Sequence, residues 1–315
     1  MPTIAFVIDP ITSLKAVKDS TVMMVEACLA LGWKVGLMEA KHISVSGQVT
    51  CVVQWVQYAN HTQNPWYDVS QPTQVKASDL DVVMMRKDPP FDMDYVIATY
   101  LLEKIEQSGV LVLNKPKAIR DCNEKLFILN FPDCIAPTVV SAQQEVLKSF
   151  LAEHQDVIIK PLNEMGGSSV FRLSPNDPNI NVVIESLTHR GVHAVMMQAF
   201  ITDIAATGDK RILMIDGEPM PYPVSRRAKP GETRSNLAAG GSAHKAEFTE
   251  RDAWLCQKVG PQLKERGLLF VGLDVIGNFI TEINVTSPTC AREVEELYGV
   301  NIMPQLFDCI AAKLC

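Results

Sequence analysis

Apolar runs alternate with amphipathic stretches over the first third of the chain. The amphipathic stretches predict helices over 19–31 and 93–108, and each is followed by a glycine, at Gly32 and Gly109. A run that alternates on both sides of Gly47 predicts a β-hairpin. Because strands alternate with helices, this part predicts a mostly parallel sheet with helices on both faces. The predicted strands lie within 3–9, 33–40, 43–55 (the hairpin), 80–92 and 110–114.

The pattern changes at about residue 123. Strand pairs joined by turns replace the strand–helix alternation, and Asp216-Gly217 is typical of a two-residue hairpin turn. We therefore expect more antiparallel pairing than in the first part. Helices are predicted over 123–131, 141–154, 250–266 and 302–313. The predicted strands lie within 134–140, 156–161, 194–200, 210–220 and 269–288.

The length of 315 residues is typical of about two domains. The change of pattern predicts a doubly wound, Rossmann-like α/β domain over 1–122 and an α+β domain over 123–315. The second domain divides into a first lobe, 123–200, and a second lobe, 201–315. One long segment, 225–248, has little regular pattern, and a loop of that length is usually functional or disordered.

Charge and composition exclude several classes of protein. The net charge of −7 argues against a nucleic-acid binder, and the loop after the first strand has no glycine, which a dinucleotide-binding fold requires. The eight cysteines show no C-x-x-C spacing, so zinc is not expected. No apolar stretch approaches the length of a membrane span, and the N-terminus does not resemble a signal peptide. We expect a soluble, cytoplasmic protein with reduced cysteines and no membrane partner.

Candidate chemistry begins with the stretch IIKPLNEMGGSSVF, residues 158–171. It predicts two strands joined by a flexible loop, with Lys160 at the end of the first strand. Lysine binds phosphate as a point charge, and glycines let backbone N–H groups approach phosphate oxygens. The alternative, a surface lysine before an ordinary hairpin, is favoured on this stretch alone, because the lysine precedes the glycines instead of following them as in a P-loop.

A second set of polar residues lies in GLDVIGNFITEINVTSP. Asp274 lies on one predicted strand, and Glu282 and Asn284 lie two apart on the next, so that both face the same side. Carboxylate and amide oxygens are ligands that suit Mg²⁺. A solvated polar face is the alternative, but the apolar neighbours of these residues favour a metal site inside the protein.

Several arginines are candidates for recognising carboxylate or phosphate groups. Arg211 begins a predicted strand and Arg226 follows another, so the two could share a pocket with the metal. Taken singly, each arginine is also consistent with a solvated surface residue. The remaining candidates are Arg86, Arg227 and Arg234.

Long motifs in a fixed order carry a resemblance that covers nearly the whole chain. The motifs are MRKDPPFD, LNKPKAIRDCNEKLF, IIKPLNEMGGSSVFR, GETRSNLAAGG and FVGLDVIGNFITEINVTSPT. In this order they resemble the bacterial glutathione synthetases of the ATP-grasp superfamily. The resemblance implies an N-terminal pre-ATP-grasp, substrate-binding domain followed by an ATP-grasp domain. It also implies ATP-dependent ligation of γ-glutamylcysteine and glycine through an acyl phosphate, with ADP and phosphate as products.

The resemblance also implies roles for individual residues. Mg²⁺, or alternatively Mn²⁺, would be held by Asp274, Glu282 and Asn284, the segment 197–201 would hold adenine, and 227–242 would be a mobile lid. The resemblance also implies that the chain forms a homo-oligomer, specifically a homotetramer. The implied catalytic residues are Arg211 and Arg234. The implied ATP-binding residues are Lys125, Lys160, Gly166, Gly167, Ser168, Gln198, Ala199, Phe200, Ile201 and Asp209. The implied substrate-binding residues are Arg86, Arg211, Arg226, Arg234 and Asn236.

The chain departs from the family pattern in three places. Asn163-Glu164 replaces Asp-Gly before the Gly-Gly pair, Ala199-Phe200 replaces Asn-Tyr, and 242–244 lacks the arginine that ends the lid. Two alternatives therefore stay open at the level of sequence. One is a related ligase that joins a different acid and amine, and the other is a nucleotide-binding module without turnover.

Overall fold

Three β-sheets form the framework of the molecule in the computed structural model, which describes residues 1–164, 166–229, 237 and 240–314. The first sheet lies within 3–113, the second within 138–199 and the third within 209–284. None of the helices in these described ranges is long and apolar enough to cross a membrane.

The first sheet is mixed and has the order β3-β4-β2-β1-β7-β8, with β5 and β6 also paired to β4. Its strands are β1 (Thr3–Val7), β2 (Lys34–Met38), β3 (Ile43–Ser46), β4 (Gln48–Ala59), β5 (Tyr67–Val69), β6 (Thr73–Lys76), β7 (Val82–Met85) and β8 (Leu111–Leu113). The central strands β2, β1, β7 and β8 are parallel, whereas β4 runs antiparallel to β2.

Alternation along β1 explains why helices cover both faces of this sheet. Its residues Ile4 and Phe6 pack with α1, and Ala5 and Val7 pack with α2 on the opposite face. The helices of this part are α1 (Ser20–Ala30), α2 (Met93–Gln107) and α3 (Pro116–Asp121). Aspartates cap α1 and α2 by accepting hydrogen bonds from backbone N–H groups of the first turn. The doubly wound arrangement predicted for this part is confirmed.

The second sheet is antiparallel and has the order β11-β10-β12-β9. Its strands are β9 (Thr138–Ser141), β10 (Val157–Pro161), β11 (Phe171–Leu173) and β12 (Val195–Ala199). Helices α4 (Gln144–His154) and α5 (Ile180–Leu187) cover one face. That face and its helices form a hydrophobic core drawn only from residues between 139 and 197.

The third sheet is also antiparallel, in the order β16-β15-β13-β17-β18 with β14 paired to β13. The predicted hairpin turn is confirmed, since Asp216 and Gly217 both have positive φ angles, 50° and 85°. The strands are β13 (Asp209–Ile215), β14 (Glu218–Pro219), β15 (Val224–Arg227), β16 (Ser242–Lys245), β17 (Phe270–Ile276) and β18 (Phe279–Asn284). The helices that follow β12 are α6 (Ile204–Thr207), α7 (Glu250–Glu265), α8 (Ala291–Tyr298) and α9 (Met303–Ala312).

The last two helices return to the first sheet. Phe307 of α9 packs edge-to-face on Trp33 with ring centroids 5.7 Å apart, and the buried face of α9 shares one core with α1. Asn114, directly after β8, adds polar contacts. Its Nδ2 donates to the carbonyls of Phe270 (2.9 Å) and Val285 (2.8 Å), and its Oδ1 accepts from the N–H of Phe270. The first and third sheets are thus joined by a common core.

One predicted helix is wrong. Residues 123–131 contain a turn and a short 3₁₀ helix, and the α-helix of this region is α3, just before them. Asn123 is an N-cap, because its side-chain oxygen accepts from the N–H groups of Lys125 and Leu126, but the turn that it starts continues as a 3₁₀ helix and not as an α-helix. The 3₁₀ helices are Ile11–Ser13, Ala40–His42, Ala77–Asp79, Phe127–Asn130 and Pro132–Cys134.

The segment 225–248, predicted to have little regular structure, contains a strand near each end. These strands, β15 and β16, pair with each other, so the prediction is wrong there. Residues 230–236, 238 and 239 lie outside the described residues. Helices α5 and α8 were not predicted, because each is only eight residues long and shows little more than two turns of periodicity.

Candidate active site

A cavity of about 450 Å³ lies between the second and third sheets. A volume of this size is in the range of small-molecule sites. Both sheets contribute walls, together with the glycine-rich loop that joins β10 to β11. The cavity brings together most of the residues that the sequence singled out, namely Lys125, Lys160, Gly166, Gly167, Ser168, Gln198, Ala199, Phe200, Ile201, Asp209, Arg226, Asp274 and Glu282.

Two lysines converge on one carboxylate at the polar end of the cavity. The Nζ atoms of Lys125 and Lys160 each lie 3.7 Å from Oε1 of Glu282, and both lysine side chains are only 6% exposed. Lys160 also donates to the carbonyl of Thr281 at 3.1 Å. Burial lowers the pKa of Lys160, with Lys125 adding to the effect and Glu282 opposing it. Two buried cations that share one carboxylate leave an excess of positive charge, which suits a polyphosphate.

The glycine-rich loop lies beside these lysines. Gly166 and Gly167 have φ angles of 67° and 78°, and Ser169 has a φ of 54°. Consecutive residues of this kind let several backbone N–H groups face one anion. Lys125 ties the start of the loop to the turn after α3, because its Nζ donates to the carbonyl of Glu164 at 2.5 Å.

The register of the third sheet places two ion pairs across β13. Arg211 is directly opposite Asp274 of β17, and Asp209 is directly opposite Arg226 of β15. Arg211 Nε and Nη2 bind the two Asp274 oxygens at 2.5 and 3.0 Å. Arg226 Nη2 lies 2.5 Å from Asp209 Oδ2 and 2.9 Å from Asp274 Oδ2. The result is a buried, fixed cluster of alternating charges at the cavity wall.

The two aspartates of this cluster titrate in opposite directions. Burial favours protonation of Asp274, but Arg211 and Arg226 outweigh it and lower the pKa to about 2. Burial raises the pKa of Asp209 to about 6, because the opposing effect of Arg226 is weaker there and Asp274 adds a like charge. Asp274 therefore stays ionised at neutral pH and holds both arginines.

Strand β13 is also fixed from its other face. Lys210 points away from the cavity, and its Nζ lies 2.6 and 2.5 Å from the two carboxylate oxygens of Asp252, whose side chain is 0% exposed. Asp252 in turn belongs to a capping box with Thr249 at the start of α7. This pair, which the sequence analysis did not find, anchors the strand that carries Asp209 and Arg211.

The predicted metal ligands lie together on β17 and β18. Asn284 Nδ2 donates to the carbonyl of Gly272 (3.3 Å) and to Asp274 Oδ2 (3.2 Å), which leaves Oδ1 as the oxygen suited to a metal. Among the residues that the structure describes, no three His, Cys, Asp or Glu side chains form a metal site by themselves. The hard oxygens of Glu282 and Asn284 suit an Mg²⁺ ion that also takes phosphate oxygens and water, as this ion usually does.

The other end of the cavity is apolar and borders residues 197–201. This segment, which comprises the end of β12 and the two residues after it, is called the hinge. The N–H groups of Ala199 and Phe200 donate to the carbonyls of Pro137 and Asp156, both at 2.9 Å. Aliphatic side chains complete this end, from Ile158, Val170, Ile204 and Ile276. An apolar slot beside a strand end suits a nucleobase.

Three of the predicted site residues that the structure describes do not line the cavity. Arg211 and Asn284 do not line the cavity themselves, but both contact Asp274, which does. Arg86 lies at the junction of the first and third sheets, where it donates to Thr21 Oγ1 (3.1 Å) and to the carbonyl of Pro288 (3.0 Å). Arg234 and Asn236, with most of the predicted lid, lie outside the described residues.

Sequence analysis also missed residues that do line the cavity. Ile158 could have been found, because it lies two residues before Lys160 on the same strand and so faces the same side. Arg172 and Thr281 lie within the quoted family motifs but were given no role, because their positions beside the cavity depend on strand register.

Comparison with known proteins follows the same two-part division. Residues 3–120 match the family model of the prokaryotic glutathione synthetase N-terminal domain, and residues 124–299 match that of the prokaryotic glutathione synthetase ATP-grasp domain. The chain is 46% identical over 314 residues to the glutathione synthetase of Vibrio vulnificus, covering 100% of this chain and 98% of that protein. It is 47% identical over 311 residues to the glutathione synthetase of Pseudomonas aeruginosa, covering 99% of this chain and 98% of that protein.

Solved structures with the same fold are much more distant in sequence. The D-cycloserine synthetase DcsG superposes with a TM-score of 0.69 at 14% identity, covering 99% of this chain and 100% of that one. The D-alanyl-alanine synthetase A of Vibrio cholerae superposes with a TM-score of 0.63 at 14% identity, covering 99% of this chain and 98% of that one. At these identities the likeness concerns the fold alone.

Proposed function

The chain belongs to the prokaryotic glutathione synthetase family, and on that premise we propose which of its residues carry out each part of the reaction. The activity is glutathione synthesis, and the enzyme is an ADP-forming ATP-grasp carboxylate–amine ligase. The predicted fold class, an N-terminal α/β domain followed by an ATP-grasp domain, is confirmed.

The reaction uses ATP to activate a carboxylate and then joins it to an amine. The carboxylate of γ-glutamylcysteine attacks the γ-phosphorus of ATP, which gives an acyl phosphate and ADP. The amine of glycine attacks the acyl carbon, phosphate leaves, and glutathione is formed. No covalent bond to the enzyme is needed, so the protein acts by positioning its substrates and stabilising charge.

The polar end of the cavity is proposed to bind the phosphates. Lys125 and Lys160 neutralise phosphate oxygens, and the loop at Gly166, Gly167 and Ser168 supplies backbone N–H groups. The apolar end binds adenine against the hinge 197–201. The convergence of both lysines on Glu282 within one cavity is the single observation that carries this assignment.

Mg²⁺, with Mn²⁺ as the alternative, would be held by Asp274, Glu282 and Asn284. Bound there, the ion would neutralise phosphate charge and orient the γ-phosphate. Glu282 has two tasks in this proposal, because without the nucleotide it also serves as the counterion of the two lysines.

Arg226 and Arg211 are proposed to hold the reacting carboxylate and the acyl phosphate formed from it. Both guanidinium groups are kept in place by Asp274, so they are oriented before substrate arrives. Arg226 lines the cavity and makes the first contact, whereas Arg211 lies beyond the lining on the same face of the sheet, opposite Asp274. Arg234 and Asn236 stay predicted substrate contacts on the lid. Arg86 stays a predicted substrate contact at the junction of the sheets.

A product analysis tests the proposal. Purified enzyme with ATP, Mg²⁺, γ-glutamylcysteine and glycine should form ADP, phosphate and glutathione in about equal amounts. AMP as the main nucleotide product would contradict the acyl-phosphate route. Replacing each substrate in turn by other acids and amines tests the related-ligase alternative, which requires faster ADP release with a different pair.

Three further expectations stay predictions. They are the substrate-binding role of the domain 1–122, assembly as a homotetramer, and a cytoplasmic location. The domain boundary at 122/123 and the division of the second domain at 200/201 are proposals of the same kind, supported by the order of the sheets.

A further inference from the structure

Arg172 forms a stacked unit with Phe200 at the apolar end of the cavity. The guanidinium carbon of Arg172 lies 3.7 Å from the centroid of the Phe200 ring, and both residues line the cavity. A separation this short is a close cation–π contact. Neither the family motifs nor the proposed function gives Arg172 a task.

Asp156 fixes both members of this pair. Its carboxylate accepts from Arg172 Nε at 2.9 Å and from Nη2 at 2.5 Å, which holds the guanidinium plane in one orientation. Its backbone carbonyl accepts from the N–H of Phe200 at 2.9 Å, which holds the ring's own backbone. Asp156, directly before β10, therefore fixes both Arg172 on β11 and Phe200 directly after β12.

The register of the second sheet separates Arg172 from the phosphate end. Arg172 is directly opposite Ile158, and Ile158 is directly opposite Gln198, so the three form one row across the cavity face. Lys160 lies two residues further along β10, or about 7 Å away along the strand. Arg172 thus belongs to the row that holds the hinge, not to the row that holds the phosphate-binding lysines.

The guanidinium still has one face and one edge for a ligand. Phe200 covers one face and Asp156 uses the Nε–Nη2 edge, while 46% of the side chain is exposed and the residue lines the cavity. A planar cation held in this way can stack on an aromatic ring system and donate from Nη1.

We infer that Arg172 binds the nucleobase of ATP, with the Phe200–Arg172 stack forming one wall of the base slot. The inference rests on the proposed function only in taking ATP as the ligand of the cavity. Because stacking grows with the area of the ring system, this wall favours purine over pyrimidine nucleotides.

Ligands that lack one part of ATP test the inference. In the full-length Arg172→Ala protein, the dissociation constants of ATP and of adenosine should both rise roughly fivefold, as expected for one cation–π contact. Binding of inorganic tripolyphosphate should stay at the wild-type value, and the preference for ATP over UTP should fall. Calorimetry measures ATP, UTP and tripolyphosphate, and ligand-observed NMR titration measures adenosine.

Two further variants separate stacking from charge. Arg172→Lys keeps the charge but loses the plane and the two-point contact with Asp156, so it should behave like Arg172→Ala. Arg120→Ala is the matched control, because Arg120 stacks on Tyr100 at 4.0 Å and pairs with Glu103 at 2.7 Å, away from the cavity. It should leave all four affinities unchanged.

The outcomes that overturn the inference are distinct from failure of the proposed function. Unchanged adenosine binding together with weaker ATP and tripolyphosphate binding would make Arg172 a phosphate contact. Full rescue by Arg172→Lys would reduce its role to charge. In either case wild-type enzyme would still form glutathione, whereas failure of the wild-type enzyme to bind ATP would contradict the proposed function itself.

Discussion

At the scale of single residues, Glu282 controls the charge balance of the cavity. It is the one carboxylate that lies within 4 Å of both Lys125 and Lys160 in the described structure. Burial makes these two cations costly, and Glu282 offsets part of that cost until a polyphosphate arrives. The same carboxylate is the proposed metal ligand, so its charge has different effects on binding and on catalysis.

Glu282→Gln separates these effects. We expect kcat to fall about 100-fold or more, because a metal contact to the transferring phosphate is worth several kcal/mol. ATP affinity in the absence of metal should stay the same or rise, since both lysines lose their competing anion. Glu153→Gln, on an exposed side chain outside the cavity, should change neither value. Near-native turnover of Glu282→Gln at saturating Mg²⁺ would remove Glu282 from the metal site.

Asp274 gives an expected pH dependence of stability in metal-free enzyme. Its pKa is about 2 when folded against an ordinary value of 3.8, so between these values the unfolded chain binds more protons. The free energy of unfolding should therefore decrease as the pH falls from 4 to 2, by on the order of 2 kcal/mol from this group. Asp274→Asn lacks this contribution. The difference in free energy of unfolding between wild type and variant should therefore narrow as the pH falls from 4 to 2, as measured by denaturation with EDTA present. A difference that stays constant over this range would contradict the pKa shift.

Sequence reasoning identified individual chemical groups better than their partners. Lys160 follows from its position before the glycine-rich loop, and Glu282 and Asn284 follow from alternation on a strand, because residues two apart share a face. The pairing of Arg211 with Asp274 depends on the register between β13 and β17, strands that lie far apart in the chain. Arg172 was missed for the same reason, since its neighbours Asp156 and Phe200 come from two other segments.

At the scale of elements, the glycine-rich loop depends on backbone conformations that favour glycine. Gly167 has a φ of 78°, and an added Cβ there costs about 1 kcal/mol in strain. We expect Gly167→Ala to raise the KM for ATP several-fold while the KM for glycine stays unchanged. Gly191→Ala is a matched control, because Gly191 has a φ of 86° in a loop outside the cavity. Gly191→Ala should lower the free energy of unfolding by about as much as Gly167→Ala and leave the KM for ATP unchanged. Equal effects of both variants on that KM would make the loop's role purely structural.

The two strands that flank the predicted lid make a clean deletion feasible. Arg227 of β15 and Ser242 of β16 are direct partners, so a short turn can join them. Replacing 230–239 with a short Gly-Ser linker keeps Arg227, Ala228 and Lys229 at the cavity wall. ATP affinity should change little, whereas glutathione formation should fall by orders of magnitude because water then reaches the acyl phosphate.

The ratio of phosphate to glutathione is the decisive measurement for this deletion. It should rise well above the value of about one that coupled transfer gives. Arg234→Ala should show a weaker form of the same change. A deletion variant with native turnover and an unchanged ratio would show that the segment is not a lid.

At the scale of the whole molecule, the three sheets do not share one core equally. The first and third sheets meet in a common core with α1, α8 and α9, and Asn114 links them by three hydrogen bonds. One face of the second sheet has its own core with α4 and α5, whereas Val140 and Met196 on the other face pack in a core with β13, β17 and α7. The cavity lies between the second and third sheets, so its opening and closing would move the second sheet, with α4 and α5, relative to the joined pair.

This division gives different expectations for two core truncations. Phe307 and Leu147 are both almost fully buried, but Phe307 belongs to the joined core and Leu147 to the core of the second sheet. Phe307→Ala should cost about 3–5 kcal/mol and lower hydrogen-exchange protection in β1 and β17 together, because the core they share loses a large side chain. Leu147→Ala should cost about 2–5 kcal/mol within its own lobe, so that protection falls in β10 and β12 while β1 and β17 keep theirs. If the joined core did not couple the first and third sheets, Phe307→Ala would affect β1 and leave β17 protected. If the core around α4 and α5 were not independent of the other cores, Leu147→Ala would lower protection in all three sheets alike.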